Sequence, residues 1–120
     1  MRLLIAEDDD IMRKALVSKF ESAGFDVLEC KNGNECLAEL GKEKVDGIIL
    51  DILMPGKDGY QVLQELVDTH NEGTPVYVVT SLGREEDCEK AKQLGAKVCY
   101  VKSEVSLKDV IREVKEDLGA

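Results

Sequence analysis

The sequence has few of the residues from which metal–thiolate and redox sites are built. It contains one histidine, and its four cysteines lack the C-x-x-C spacing of zinc and redox motifs; they are Cys30, Cys36, Cys88 and Cys99. A zinc site is therefore not expected, because such sites need several cysteine or histidine ligands. We expect all four cysteines to be reduced thiols, as is usual in a cytosolic protein.

Basic side chains and long apolar runs are also scarce. The chain has 16 Lys and Arg against 25 Asp and Glu, a formal net charge of −9, whereas a nucleic-acid-binding surface needs clustered basic residues. No apolar run approaches the ~20 residues that span a bilayer, and the apolar N-terminus reaches Glu7 too soon for a signal peptide. With 120 residues and 43% hydrophobic content, the sequence predicts one globular domain, residues 1–120, with no direct nucleic-acid binding and no membrane association.

Apolar runs alternate with helical periodicity five times along the chain. The runs that we interpret as strands cover residues 3–6, 25–29, 47–50, 75–79 and 98–101. Helical patterns follow each run, and we place Ile11 of the first helix and Val67 of the third on inward faces with their apolar neighbours. Strands that alternate with helices of this length predict an α/β fold with a parallel sheet and helices on both faces.

Polar and charged side chains follow four of the five predicted strands. Glu7 and Asp8 follow the first, Asp51 the third, Thr80 the fourth and Lys102 the fifth. Ligands of such sheets bind at the carboxyl ends of the strands. Two carboxylates ~4 Å apart repel by about 4 kcal/mol at an effective dielectric constant of about 20, so a proton or a cation must accompany them. Mg²⁺, which prefers oxygen ligands, fits this set.

The same residue types suit phosphoryl transfer. A carboxylate beside Mg²⁺ can attack phosphorus and form an aspartyl phosphate, while a hydroxyl, an ammonium group and the metal each take one phosphoryl oxygen. Taken singly, each residue also has an ordinary role: Asp51 can form a turn, Thr80 can be a plain strand residue and Lys102 can be a solvated cation. The coincidence of all of them at the strand ends favours the phosphoryl hypothesis.

Several short motifs occur in a fixed order along the chain. They are Glu7-Asp8-Asp9, the D-x-x-M-P-G-x-D-G stretch from Asp51 to Gly59, Thr80-Ser81, and Tyr100-Val101-Lys102. In this respect the sequence resembles the CheY-like receiver domains of two-component response regulators over essentially its whole length. The resemblance implies a flavodoxin-like, three-layer fold with a five-stranded parallel sheet in the order 2-1-3-4-5.

The resemblance also implies a role for each site residue. Asp51 would accept a phosphoryl group from the phosphohistidine of a sensor histidine kinase or a histidine phosphotransfer protein. Mg²⁺ would be held by Glu7, Asp8, Asp51 and the backbone carbonyl of Leu53, while Thr80 and Lys102 would bind phosphoryl oxygens.

The family role is that of a cytoplasmic signalling phosphoacceptor rather than an enzyme. Phosphorylation would change the face formed by the fourth helix, fifth strand and fifth helix, which a downstream protein target reads. The protein would be a monomer or a phosphorylation-dependent dimer.

The sequence departs from the family pattern at four positions. Cys99 stands where an aromatic residue is usual, and Ser103 stands where a proline usually follows the lysine through a cis bond. We expect a trans bond before Ser103, because a non-proline cis bond costs about 2.5–4 kcal/mol. Leu53 and Leu82 occupy the two positions that tune hydrolysis; since neither orients water, we expect slow autodephosphorylation.

Three alternatives stay open from the sequence. The chain is a receiver cut from a longer regulator with an output domain, or a pseudo-receiver that takes no phosphate, or a phosphatase of the haloacid-dehalogenase type. The pseudo-receiver is disfavoured because every acidic-site residue and the lysine are present. The phosphatase is disfavoured because Leu53 stands where such enzymes need an acid, and because the chain lacks a substrate-selecting cap.

Overall fold

The alternation of apolar runs and helical patterns gives five strand–helix units in the computed structural model, which describes residues 1–120. The elements are β1 (Arg2–Ala6), α1 (Asp10–Ser22), β2 (Asp26–Cys30), α2 (Gly33–Leu40), β3 (Gly47–Leu50), α3 (Gly59–Leu66), β4 (Val76–Thr80), α4 (Glu85–Gln93), β5 (Val98–Val101) and α5 (Leu107–Leu118). All strand pairs are parallel, and the sheet order is β2-β1-β3-β4-β5. The predicted fold class and strand order are confirmed.

The sheet separates two apolar clusters. Successive strand residues point to opposite faces, so Leu4 and Leu50 pack with residues of α2, α3 and α4, whereas Leu3 and Ile49 pack with residues of α1 and α5. Because helices cover both faces, the central strands are apolar over most of their length. This arrangement leaves the carboxyl ends of the strands as the place where polar groups gather.

Four of the five helices begin with a side-chain cap. Asp9, Asn32, Asp58 and Ser106 each accept a hydrogen bond from a backbone N–H in the first turn of the helix that follows, which satisfies one of the donors left free at a helix start. The fourth helix differs, because Arg84 at its N-cap makes no such bond. The first turn of α4 is instead rich in acidic residues, which favour the positive end of a helix dipole.

Two residues that we placed inward are exposed. Ile11 is 84% exposed, because the inward face of α1 is formed by Arg13, Leu16 and Phe20. Arg13 can occupy a buried position since its guanidinium donates hydrogen bonds to acceptors around it. Val67 is 55% exposed, because α3 ends at Leu66 and Val67 is already its C-cap.

The expectation of four reduced cysteines is wrong for one pair. Cys88 of α4 and Cys99 of β5 form a disulfide, with their Cα atoms 5.5 Å apart. The C-x-x-C criterion misses it because the two residues are 11 positions apart and meet only through the helix–turn–strand geometry. Cys30 and Cys36 are free thiols and buried.

Two further expectations concern the backbone and the membrane. The chain has no cis peptide bond, which confirms the trans bond before Ser103. No helix has both the length and the apolar content needed to cross a membrane.

Candidate functional site

The carboxyl ends of β1, β3, β4 and β5 meet at one edge of the sheet. Glu7, Asp8, Asp51 and Lys102 line a single surface cavity there, together with Asp9, Met12, Leu53 and Ser81. The strand-end rule predicts that polar groups gather at this edge of the sheet, and these side chains do lie together there.

Three carboxylates converge in this cavity. One oxygen from each of Glu7, Asp8 and Asp51 lies within 4.8 Å of the other two. Glu7 and Asp51 are buried, while Asp8 is exposed. Carboxylate oxygens are the hard donors that Mg²⁺ prefers, and the exposed Asp8 leaves room for the waters that Mg²⁺ usually keeps.

The ammonium group of Lys102 lies between the two buried carboxylates. Its Nζ donates to Glu7 Oε1 at 2.6 Å and to Asp51 Oδ2 at 3.2 Å. Burial by itself lowers the pKa of Lys102, but the bond to Glu7 and the charge of Asp51 outweigh it, so the pKa is raised. Lys102 is therefore positively charged, and its ion pairs link the end of β5 to the ends of β1 and β3.

Glu7 is the carboxylate most affected by this crowding. Burial, the largest influence, raises the pKa of Glu7 to about 7, and Asp51 adds to the rise while the hydrogen bond from Lys102 opposes it. Three carboxylates with one ammonium group carry an excess of negative charge. Binding of a further cation or a proton would therefore stabilise the site.

Thr80 and Ser81 end β4 at the same edge. Thr80 is fully buried, its register partner on β5 is Val101, and its Oγ1 accepts a hydrogen bond from the N–H of Leu82 at 3.1 Å. Ser81 is exposed at the cavity. Leu53 also lines the cavity, is 50% exposed and has no polar side-chain atom.

The loop after β3 is held close to α3 by a glycine. A Cβ atom on Gly59 would lie 2.5 Å from the carbonyl oxygen of Asp51 and 2.7 Å from the Cα of Ile52. The Gly59 N–H also donates to the Ile52 carbonyl at 2.8 Å. The last residue of the D-x-x-M-P-G-x-D-G stretch must therefore be glycine, because α3 comes too close to the backbone of Asp51 and Ile52 to leave space for a side chain.

Arg13 supports the site, and sequence reasoning gave it no role. Its side chain is 4% exposed, Nη1 donates to the backbone carbonyl of Glu7 at 3.1 Å, and Nη2 and Nε donate to Asp10 and Glu29. This holds the β1–α1 turn that presents Glu7. The available signal was the spacing of Arg13 with Leu16 and Phe20, which places the arginine on the apolar face.

Cys99 and Tyr100 point to opposite faces of the sheet, as the strand alternation predicts. Cys99 packs against the cluster beside α2, α3 and α4, whereas Tyr100 belongs to the cluster beside α1 and α5. Tyr100 therefore does not replace the aromatic residue that the family has at position 99.

Comparison with known proteins gives a consistent match. The family described as the response regulator receiver domain matches residues 3–115. Protein PilH of Pseudomonas aeruginosa is 34% identical over 97 residues, 80% of this chain and 80% of PilH. Transcriptional activator protein PfeR of the same species is 40% identical over 86 residues, 72% of this chain and 28% of PfeR.

The fold comparison agrees with the sequence match. The receiver domain of the Francisella response regulator 1452 superposes with a TM-score of 0.89 at 26% identity, covering 98% of this chain and 96% of that domain. The chain spans 28% of the length of PfeR and less than half the length of several other curated relatives. Because the family match covers almost the whole chain, and the sheet order and the acidic cluster agree with it, this chain belongs to the receiver domains of two-component response regulators.

Proposed function

We propose that this chain is a phosphorylation-dependent signalling switch in which Asp51 accepts a phosphoryl group with the help of Mg²⁺. The donor would be the phosphohistidine of a sensor histidine kinase or a histidine phosphotransfer protein. The observation that carries the proposal is the convergence of the Glu7, Asp8 and Asp51 carboxylates beside the Lys102 ammonium group. Glu7, Asp8, Asp51 and the backbone carbonyl of Leu53 would hold the Mg²⁺ ion.

The proposed step is an in-line transfer to Asp51. A carboxylate oxygen of Asp51 forms a bond to phosphorus while the bond from phosphorus to the histidine nitrogen breaks, and that nitrogen leaves with the electron pair. Mg²⁺, when bound, supplies positive charge against the phosphoryl oxygens. Lys102 already contacts Asp51 at 3.2 Å, so a short movement places its ammonium group on a second oxygen. Thr80 would exchange its contact with the Leu82 N–H for donation to a third.

The consequence for the surface follows from where these residues lie. Thr80 ends β4 before the loop to α4, and Lys102 directly follows β5, so their movement toward a phosphoryl group biases the α4–β5–α5 face. A downstream protein would read this face, and the chain would be a monomer or a phosphorylation-dependent dimer. We place it in the cytoplasm, as a signalling phosphoacceptor rather than an enzyme, with residues 1–120 as a single receiver domain.

A second proposal is that the chain is the receiver part of a longer regulator. The match to PfeR covers 28% of a protein named as a transcriptional activator, whereas the match to PilH covers 80% of that protein. Both arrangements use the same switch. They differ in whether the responding partner is a separate protein or an output domain on the same chain.

Incubation with acetyl phosphate and Mg²⁺ tests the proposal. Intact-mass measurement should show one added phosphoryl group, lost when Mg²⁺ is chelated and lost in Asp51→Ala. The matched control is Asp68→Asn, which changes an exposed aspartate in the turn after α3 and should be phosphorylated like the unmodified protein. Phosphorylation of Asp51→Ala, or transfer that does not need Mg²⁺, would contradict the proposal.

The phosphorylated state should decay slowly, because Leu53 and Leu82 offer no group that orients an attacking water. Leu53→Asn should speed the decay roughly tenfold, the effect of one hydrogen bond of about 1.4 kcal/mol made in the transition state. Leu53→Ala removes the leucine side chain without adding a polar group, and should decay at nearly the original rate. Decay is followed by the loss of the phosphorylated mass, and equal rates for Asn and Ala would exclude water positioning as the cause.

A further inference from the structure

The disulfide between α4 and β5 joins the two elements that the proposed switch must move. Cys88 lies in α4, and Cys99 lies in β5, three residues before Lys102. β5 is also an outer strand of the sheet, since β4 is its only strand neighbour. This covalent bond restrains the α4–β5 surface. Its Cys99 end also lies close along the chain to Lys102, the lysine proposed to bind the phosphoryl group.

The bonded pair is open to solution, unlike the other two cysteines. Cys88 and Cys99 are half-buried and line a surface groove that includes Arg84, Lys92 and Val101. Cys30 and Cys36 are buried in the core, and burial raises the pKa of Cys30 to about 12 and raises that of Cys36 as well. Since the thiolate is the reactive form, thiol chemistry on the folded protein is confined to the Cys88–Cys99 pair.

The fourth helix has few other ties to its surroundings. It lacks a side-chain N-cap, and only Asp87 and Ala91 of its residues are buried. Its polar contacts with α3 are a hydrogen bond from the Tyr60 hydroxyl to the Asp87 carbonyl at 3.2 Å and the Lys90 ammonium group 4.3 Å from the centre of the Tyr60 ring. The disulfide adds a covalent restraint that holds α4 against β5.

We propose that the Cys88–Cys99 pair is a thiol–disulfide exchange site for small thiols and dithiol proteins, and that its oxidised form clamps α4 to β5. A thiolate of the incoming molecule attacks one sulfur, the Cys88–Cys99 bond breaks and a mixed disulfide forms; a second thiolate then releases the protein thiol. Overall, two thiols lose two electrons and two protons and become a disulfide, while Cys88 and Cys99 gain them. A small disulfide such as oxidised glutathione reverses the reaction.

The coupling of this site to the switch rests on the function proposed above. In a reducing compartment, protein disulfides are rare and are mostly transient or redox-sensing. In the proposed switch, phosphorylation of Asp51 moves α4 relative to β5, and the disulfide opposes this movement in the oxidised form. Reduction therefore favours the phosphorylated conformation, and by linkage the phosphorylated conformation favours reduction to the same extent.

The exchange is tested with defined mixtures of reduced and oxidised glutathione. The folded protein is equilibrated, and its thiols are trapped by alkylation and mapped by peptide mass. Cys88 and Cys99 should become labelled together as the mixture becomes more reducing, with Cys30 and Cys36 labelled only after denaturation. Free Cys88 and Cys99 in fully oxidising buffer, or a bond that opens only in denaturant, would overturn the proposal. The double variant Cys88→Ser/Cys99→Ser should show no labelling in the folded state.

The coupling is tested with beryllofluoride and Mg²⁺, which imitate a phosphoryl group on an aspartate. Their addition should shift the glutathione equilibrium of the pair toward the reduced form by about fivefold or more, and the reduced protein should bind beryllofluoride more tightly by the same factor. A shift smaller than fivefold would overturn the coupling. If neither redox form nor the double serine variant binds beryllofluoride in ¹⁹F NMR, the proposed function fails instead, while the exchange result of the labelling experiment is unaffected.

Discussion

Replacement of Lys102 by alanine should lower the free energy of unfolding of the metal-free protein by about 3 kcal/mol, near the lower end of the range for breaking a buried ion pair. The Lys102 side chain is 18% exposed, and its partners Glu7 and Asp51 are 2% and 4% exposed. Without the ammonium group, two buried carboxylates face each other unpaired. We expect a loss of stability at the lower end of this range because Glu7, with its pKa already raised to about 7, takes up a proton.

A double-mutant cycle separates this effect from loss of the lysine's packing. Asp51→Asn removes one of the two facing charges, so the metal-free variant should be more stable than the unmodified protein, and Lys102→Ala should cost much less in its background. Lys92→Ala, at an exposed residue of α4, is the control and should change stability by less than about 0.5 kcal/mol. Urea unfolding gives each value, and an equal cost of Lys102→Ala in both backgrounds would contradict the electrostatic explanation.

Reduction of the Cys88–Cys99 bond should lower the free energy of unfolding by about 3 kcal/mol, the effect expected from closing a loop of this length in the unfolded chain. The bond joins residues 11 positions apart. For a domain of this size, such a loss corresponds to a fall in Tm of roughly 10 °C.

Thermal unfolding with and without a dithiol reductant measures this effect. The double variant Cys88→Ser/Cys99→Ser should unfold near the temperature of the reduced protein and should not respond to reductant. An unmodified protein with the same Tm in oxidising and reducing buffer would show that the bond contributes nothing to stability.

Fold and site were predictable because each depends on a local pattern. Strands buried on both faces are continuous apolar runs, and the residue that follows such a run must lie at the carboxyl edge of the sheet. Glu7, Asp51 and Lys102 could therefore be placed together from the sequence. The structure confirms the sheet order and brings these side chains within contact distance, while their chemical roles are predictions.

The features that the sequence did not reveal depend on contacts that form only when the chain is folded. Arg13 is buried because a backbone carbonyl and two acidic side chains satisfy its guanidinium, and its burial leaves Ile11 on the exposed side of α1. The Cys88–Cys99 bond depends on how α4 turns back onto β5. Helical periodicity could place Arg13 on the apolar face of α1 but could not identify the acceptors of its guanidinium, and the C-x-x-C criterion could not pair cysteines that are 11 positions apart.

The position of the acquired phosphoryl group tests the central claim most directly. After reaction with acetyl phosphate and Mg²⁺, borohydride reduces an aspartyl phosphate to homoserine, which peptide mass spectrometry locates. We predict homoserine in place of Asp51, with Glu7, Asp8 and Asp9 unchanged. A phosphoryl group on any other residue, or none under these conditions, would contradict the account of this chain as a switch that is phosphorylated at Asp51.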